Sequence, residues 1–262
     1  MTNISTLENF KISGLIITCN EEQHIDDVVK NISFVDEIIV VDSFSTDETL
    51  SKLKKLNHVK VIQRDFKNFS DQRNFAIQQA SNLWILFIDA DERIPKELRS
   101  EVLQIVNNPS DFVAFKFPRK FIFQDKIIRF SGLQTDYIYR LFKKDFAQYK
   151  QDKTVHEELV VNGKSKTLSN AMLHYSFSNN ESYKQKTEHY AKLKAKELFK
   201  QGKKPTWIDF YIKPKYKFLY NYVFRLGFLD GKAGYTICKL NAYGVKYRFK
   251  ELEKLISASP KK

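Results

Sequence analysis

The 262-residue sequence predicts an α/β fold, with a mostly parallel sheet flanked by helices and a helical, basic and aromatic C-terminal extension. Three observations predict it. Short apolar runs alternate with segments of helical spacing up to residue 106. Those runs are nearly continuous rather than alternating, the mark of strands buried on both faces. The charge is unevenly spread: net charge is +13, and residues 181–262 alone hold 20 basic and 7 acidic residues, so residues 1–180 balance at 24 against 24. The expected division is therefore a body over 1–180 and an extension over 181–262.

Each element has its own signal. Residues 12–19 (ISGLIITC) form a short β-rich run, and 21–32 place Ile25, Val28, Val29 and Ile32 at helical spacing. EIIVV (37–41) reads as the second strand, and 46–56 as a helix with Thr46 at its cap. VKVIQ (59–63) is the third strand, 70–81 a helix starting at a Ser cap, and LWILFI (83–88) the fourth strand. A helix over 95–106 opens on Pro95. After Pro109, residues 112–123, 126–130, 137–144 and 171–177 read as strands joined by turns. From Ser182 the pattern is helical; the first helix ends at Gly202, and Pro214 lets another begin.

Composition narrows the class. With 42% hydrophobic residues, 22 Phe and 13 Tyr, the chain can bury a core. Cys19 and Cys238 are too few for a disulfide framework or a zinc site; bridging and simple burial are both open, with reduced thiols the default. The first residues lack a signal-peptide pattern, and no run of about 18 apolar residues predicts a membrane span. Neither a G-x-x-x-x-G-K-[ST] phosphate loop nor a G-x-G-x-x-G fingerprint is present.

Open α/β sheets bind ligands outside the C-terminal ends of their strands. The polar residues fall there: Thr18, Asn20 and Glu21, then Asp42 to Asp47, then Asp89 and Asp91. Two carboxylates one residue apart at a strand end repel unless a countercharge joins them. A hard divalent cation, Mg²⁺ or Mn²⁺, supplies one and keeps positions open for phosphate oxygens. Each residue also has a plain structural reading, as a helix cap, a turn residue or a solvated charge.

Four segments, TCNEE (18–22), VDEIIVVDSFSTDET (35–49), FSDQRNFAI (69–77) and WILFIDADERI (84–94), resemble in order and spacing the motifs of the family 2 glycosyltransferases. YRLFKK (139–144), VHEEL (155–159), LHYS (173–176) and GFLDGKAGY (227–235) resemble the bacterial lipopolysaccharide-core β-1,4-glucosyltransferase type. The resemblance covers most of the chain from Ile12. It implies a GT-A catalytic domain over 1–180, an inverting mechanism, a nucleotide-sugar donor such as UDP-glucose, and a divalent cation. It implies that Thr18, Asn20 and Glu21 border the base and ribose, that Asp42 takes the base edge with Ser43 beside it, and that Arg73 reaches the base or diphosphate. Asn74, beside Arg73, joins the donor-binding set, as does Ala90 between the two aspartates. Asp89 would contact ribose and metal, Asp91 would ligate the metal, and His174 would be a later metal or diphosphate ligand. Glu157 matches the catalytic base, with Glu158 the neighbouring alternative.

The chemistry is compatible with that assignment. Inverting transfer is one displacement at the anomeric carbon, needing a base for the acceptor hydroxyl and a stabiliser for the departing diphosphate. Two other classes share features: a nucleotidyltransferase acting on a sugar phosphate, whose Gly-rich basic loop TCNEE does not resemble, and a non-catalytic nucleotide- or lipid-binding module, which would have lost a site residue. The basic tail suits a solvated face, nucleic acid or an anionic membrane. A lipid-anchored saccharide acceptor favours the membrane, on the cytosolic face of the inner membrane, over nucleic acid.

Overall fold

The structure, a computed structural model, describes residues 10–108, 110–134, 136–150, 158–177 and 179–258. The chain divides into two compact units, residues 1–119 with 137–174, and residues 120–136 with 175–262. In chain order β1 (Ile12–Thr18), α1 (Ile25–Asn31), β2 (Glu37–Asp42), α2 (Thr49–Leu53), β3 (Val59–Gln63), α3 (Phe69–Gln79), β4 (Trp84–Phe87), β5 (Glu92–Arg93) and α4 (Lys96–Asn107) come first. Then follow β6 (Phe112–Phe123), β7 (Lys126–Ile128), β8 (Tyr137–Lys143), β9 (Ala147–Tyr149), β10 (Leu159–Val161), β11 (Lys164–Thr167) and β12 (Met172–Phe177). Three helices close the chain, α5 (Asn180–Lys200), α6 (Trp207–Leu219) and α7 (Gly231–Ser257).

The main sheet of the first unit runs β3-β2-β1-β4-β8-β6-β12-β5. Its first four strands are parallel, and β8 lies antiparallel to both β4 and β6. Both faces of the parallel part are covered, because alternate residues point to opposite sides. Ile12, Ile16, Ile38, Val40, Leu86 and Ile88 pack in one cluster with α1, Leu53 of α2 and Leu98, Val102 and Val106 of α4. Leu15, Ile39, Val41, Ile85 and Phe87 form the other cluster with Ala76 and Ile77 of α3. The near-continuous apolar strands of the sequence are this double burial.

Local signals shift by a residue or more. Asn68, not Ser70, caps α3, its side chain accepting from the Asp71 N–H at 2.8 Å, while Ser70 is buried. Residues 46–48 stay outside α2, because Asp47 accepts from the Thr49 N–H at 3.0 Å and forms a turn there. Pro214 lies inside α6 rather than starting it; a capping box of Thr206 and Asp209 sets the true start. Gly202 does follow a helix end, at φ +69°, where a residue without Cβ is favoured.

In the second unit, α7 packs against α5 and α6. Phe123, Ile128, Tyr183, Ala233 and Ile237 form one apolar cluster, and Ala195, Phe249 and Leu252 another. The GFLDGKAGY stretch is a tie. Asp230 accepts from the backbone N–H of Arg129 and Phe130, both at 3.0 Å, and from the Ser131 hydroxyl at 2.7 Å. A Cβ on Gly234 would overlap the Gly227 carbonyl oxygen, so only glycine permits this approach. Both cysteines are free, Cys19 exposed and Cys238 buried. Among the described residues no helix is long and apolar enough to cross a membrane.

Candidate active site

The strand ends align because the parallel register aligns them: Thr18 is paired with Asp42, and Asp42 with Gln63. Beyond them two loops zip together. Asn20, in the left-handed region at φ +58°, donates its N–H to the Ser45 hydroxyl at 2.9 Å and accepts the Thr46 N–H at 2.8 Å. The N–H groups of Glu21 and Glu22 bond Thr49 Oγ1 at 2.8 Å and Asp47 at 3.1 Å. Asp42 is fully buried and accepts from the Ser45 N–H at 3.1 Å, the Ser45 hydroxyl and the Gln63 amide at 3.3 Å. Its carboxylate therefore shapes this loop. Ser43 accepts from the Gln72 amide at 3.1 Å. The Thr18 hydroxyl is buried without a hydrogen-bond partner among the described residues. This end is acidic: burial, then Asp42, Asp47 and Glu21, push the Cys19 thiol pKa up.

The other half of the site grows from the turn after β4. Asp89 is held by two arginines. Arg73 of α3 donates Nη2 to Oδ1 at 2.8 Å, and Arg140 of β8 donates to Oδ2. Arg140 is fully buried and also donates to Glu92 Oε1 at 2.8 Å, with Arg119 at 3.5 Å from the same oxygen. Glu92 in turn accepts the Asp89 N–H at 3.0 Å. Burial raises the Asp89 pKa, but Arg140 and then Arg73 outweigh it and hold the carboxyl far below the ordinary carboxylate range. Burial lowers the Arg140 pKa, while Asp89 and Glu92 raise it further, so the net direction is up. The Arg73 guanidinium lies over the rings of Phe87 and Tyr149, at 4.7 and 5.4 Å from their centroids. Asn74 uses both ends of its amide on the Tyr149 backbone, donating to O at 2.8 Å and accepting from N–H at 2.9 Å.

Asp91 meets a different partner. The short strand β5 pairs antiparallel with β12, placing His174 opposite Glu92. That register brings His174 Nε2 to 3.1 Å from Asp91 Oδ2. Ala90, between the aspartates, is buried, and its carbonyl accepts Arg93 Nη1 at 2.6 Å. Asn31 fixes the exit of the turn, bonding the Ile94 N–H at 2.7 Å and its carbonyl at 3.1 Å.

Asp89, Asp91 and His174 were expected to share one metal. Among the described residues no group of three or more His, Cys, Asp or Glu is arranged to hold an ion. Asp89 is engaged by Arg73 and Arg140. Asp91 and His174 lie side by side, one oxygen and one imidazole nitrogen 3.1 Å apart. That pair fits two positions of a divalent ion whose other positions are taken by water or phosphate oxygens.

Glu157 lies outside the described residues. Glu158 forms an ion pair with Lys150 at 3.2 Å, with both side chains about half exposed. Reading the sequence missed Arg140, Glu92 and Arg119. Arg140 had a signal, since it interrupts the apolar strand YIYRLF immediately before the buried Leu141 and Phe142.

A family model described as glycosyl transferase family 2 matches residues 13–166. An uncharacterized glycosyltransferase of Rickettsia bellii is 32% identical over 96% of this chain and 88% of its own length. A lipopolysaccharide core biosynthesis glycosyltransferase, LpsC, of Rhizobium meliloti is 26% identical over 84% of this chain and 82% of its own. Among solved structures, a mannosyltransferase from Pyrobaculum calidifontis in complex with GDP-Man and Mn²⁺ aligns with a TM-score of 0.50. That alignment covers 97% of this chain and 77% of the other at 13% identity, a likeness of fold.

Proposed function

The chain belongs to glycosyl transferase family 2, with the GT-A type of α/β fold, and from that premise we propose that it transfers a hexose, with inversion, from a nucleotide-diphosphate sugar to a lipid-linked saccharide. The observation that carries this is the pairing of Asp91 with His174 beside an Asp89 held by two arginines, at the C-terminal end of the sheet. Residues 1–180 would be the catalytic part. Residues 181–262, with their excess of basic residues, would hold the chain at an anionic membrane, on the cytosolic face of the inner membrane, in lipopolysaccharide or surface-glycan synthesis.

Charge orients the donor. The acidic end around Glu21, Asp42 and Asp47 repels phosphate and suits the hydroxyls and ring N–H of a nucleoside, UDP being the first candidate. Thr18, Asn20, Glu21 and Ser43 border that end, and Asp42 acts through the loop it organises. The diphosphate lies toward Arg73, Asp91 and His174. Asp91 and His174 would hold Mg²⁺ or Mn²⁺, which when bound neutralises charge on the departing diphosphate. Arg140 and Arg73 keep the Asp89 carboxylate ionised and Glu92 holds its backbone N–H, so the carboxylate can accept a ribose hydroxyl. Asn74 positions Tyr149 under Arg73.

The base is Glu157. Glu158, the neighbouring alternative, forms an ion pair with Lys150. The test offers UDP-, GDP-, dTDP- and CMP-sugars with a lipid-linked core saccharide and determines the anomeric configuration of the product by NMR. Transfer from one donor, with the product configuration opposite to the donor's, supports the proposal. Retention, or transfer from none, contradicts it.

A further inference from the structure

Helices α6 and α7 pack against each other, yet a groove of about 480 Å³ runs between them. That lies within the roughly 300–1,000 Å³ of small-molecule sites. Pro214, Phe218 and Leu219 of α6 and Ala242 of α7 give it apolar walls. The spacing explains the opening. Positions 239, 242 and 246 share one face of α7, and the middle one carries only a methyl group. Packed helices ordinarily fill such space with interdigitating side chains. Lys215, Lys239 and Lys246 line the groove as exposed residues, and no carboxylate lines it.

Beside the groove the surface stays apolar. Tyr216, Leu219, Tyr220, Val223 and Phe224 are all exposed along the end of α6 and the π turn that follows. Contiguous exposed apolar surface rimmed by charge marks a docking site. Tyr beside Lys and aliphatic groups suits the boundary between hydrocarbon and headgroup. Three ammonium groups around a hydrocarbon trough call for a partner that is anionic at one end and apolar along its length.

We infer that the groove holds one anionic membrane lipid, its hydrocarbon chain along Pro214, Phe218 and Ala242 and its phosphate at the lysine-bearing rim that Lys215, Lys239 and Lys246 provide. The inference rests on the reading of residues 181–262 as membrane-facing and specifies the contact. A free phosphate would use the lysines but not the trough. A second copy of this chain would bring its own excess of basic charge to the same face.

The test titrates the full-length protein with monomeric dihexanoyl phosphatidylglycerol, with dihexanoyl phosphatidylcholine and with inorganic phosphate. UDP binding in the presence of Mn²⁺ is measured on the same samples. The expected result is one phosphatidylglycerol per chain, with much weaker binding of phosphatidylcholine and phosphate. K239E/K246E, at two exposed positions, should weaken it by about tenfold or more. Ala242→Trp, which fills the trough, should do the same while UDP affinity stays unchanged. Phosphate binding as tightly as the lipid, an unaffected K239E/K246E variant, absent lipid binding, or a dimer that Ala242→Trp dissociates would each overturn the inference. Lipid binding without any UDP binding would leave the groove assignment standing and remove the donor-site reading instead.

Discussion

Arg140 sits fully buried between Asp89 and Glu92, where a cation is tolerated only because two carboxylates surround it. Removing it should be costly. We expect Arg140→Met to lose about 3–5 kcal/mol of stability in urea unfolding, because Glu92 and Asp89 then lose a close countercharge. Adding Glu92→Gln should recover part of that loss. The acid limb provides a second check. The folded pKa of Asp89 is depressed, so its contribution is fully present above the unfolded value of about 3.9 and fades as pH falls below it. Wild type should therefore lose stability steeply below about pH 4, and Arg140→Met should show a shallower loss there. If Glu157 is the base, as proposed, Glu157→Gln should keep donor binding but reduce transfer by about 10²-fold or more. Glu158→Gln should be mild; the opposite ranking would move the base.

Elements explain which parts of this were legible. The parallel strands over 12–18, 37–42, 59–63 and 84–87 were readable because continuous Val, Ile and Leu runs are hard to place except between two covering layers. The aspartates fell at strand ends for the same reason. The partner of Asp91 was harder: β5 is two residues long, too short for any periodicity, and His174 arrives through pairing with a strand 80 residues later in the chain. The ion-paired state of Asp89 was also hidden, since Arg73 and Arg140 reach it from α3 and β8, and single-sequence patterns do not register which strands become neighbours. The caps slipped for a local reason: Asn68 and Ser70 both suit a helix start, and only the Asp71 N–H distance chooses between them. In the second unit the GFLDGKAGY tie makes a sharp prediction. Gly234→Ala should lower the melting temperature markedly, because its Cβ meets backbone rather than a yielding side chain. Gly202→Ala, at φ +69° with open space around it, should cost only about 1 kcal/mol.

At the scale of the whole molecule the charge asymmetry does the sorting. On the proposed function, a balanced N-terminal part would bind a nucleotide sugar without holding every anion it meets, while a +13 C-terminal part would concentrate the chain at anionic surfaces. We expect co-sedimentation with phosphatidylglycerol vesicles at low ionic strength, weakening as salt rises and absent with phosphatidylcholine alone. Binding that ignored salt and headgroup would remove the electrostatic part of this account. The central claim, that Asp91 and His174 hold a cation for a nucleotide diphosphate, is met most directly by isothermal titration of the protein with UDP. The titration is run with and without Mn²⁺, beside Asp91→Ala. The account predicts binding that requires Mn²⁺ and is lost in Asp91→Ala. UDP binding of equal strength without the metal, or undiminished in Asp91→Ala, would contradict it.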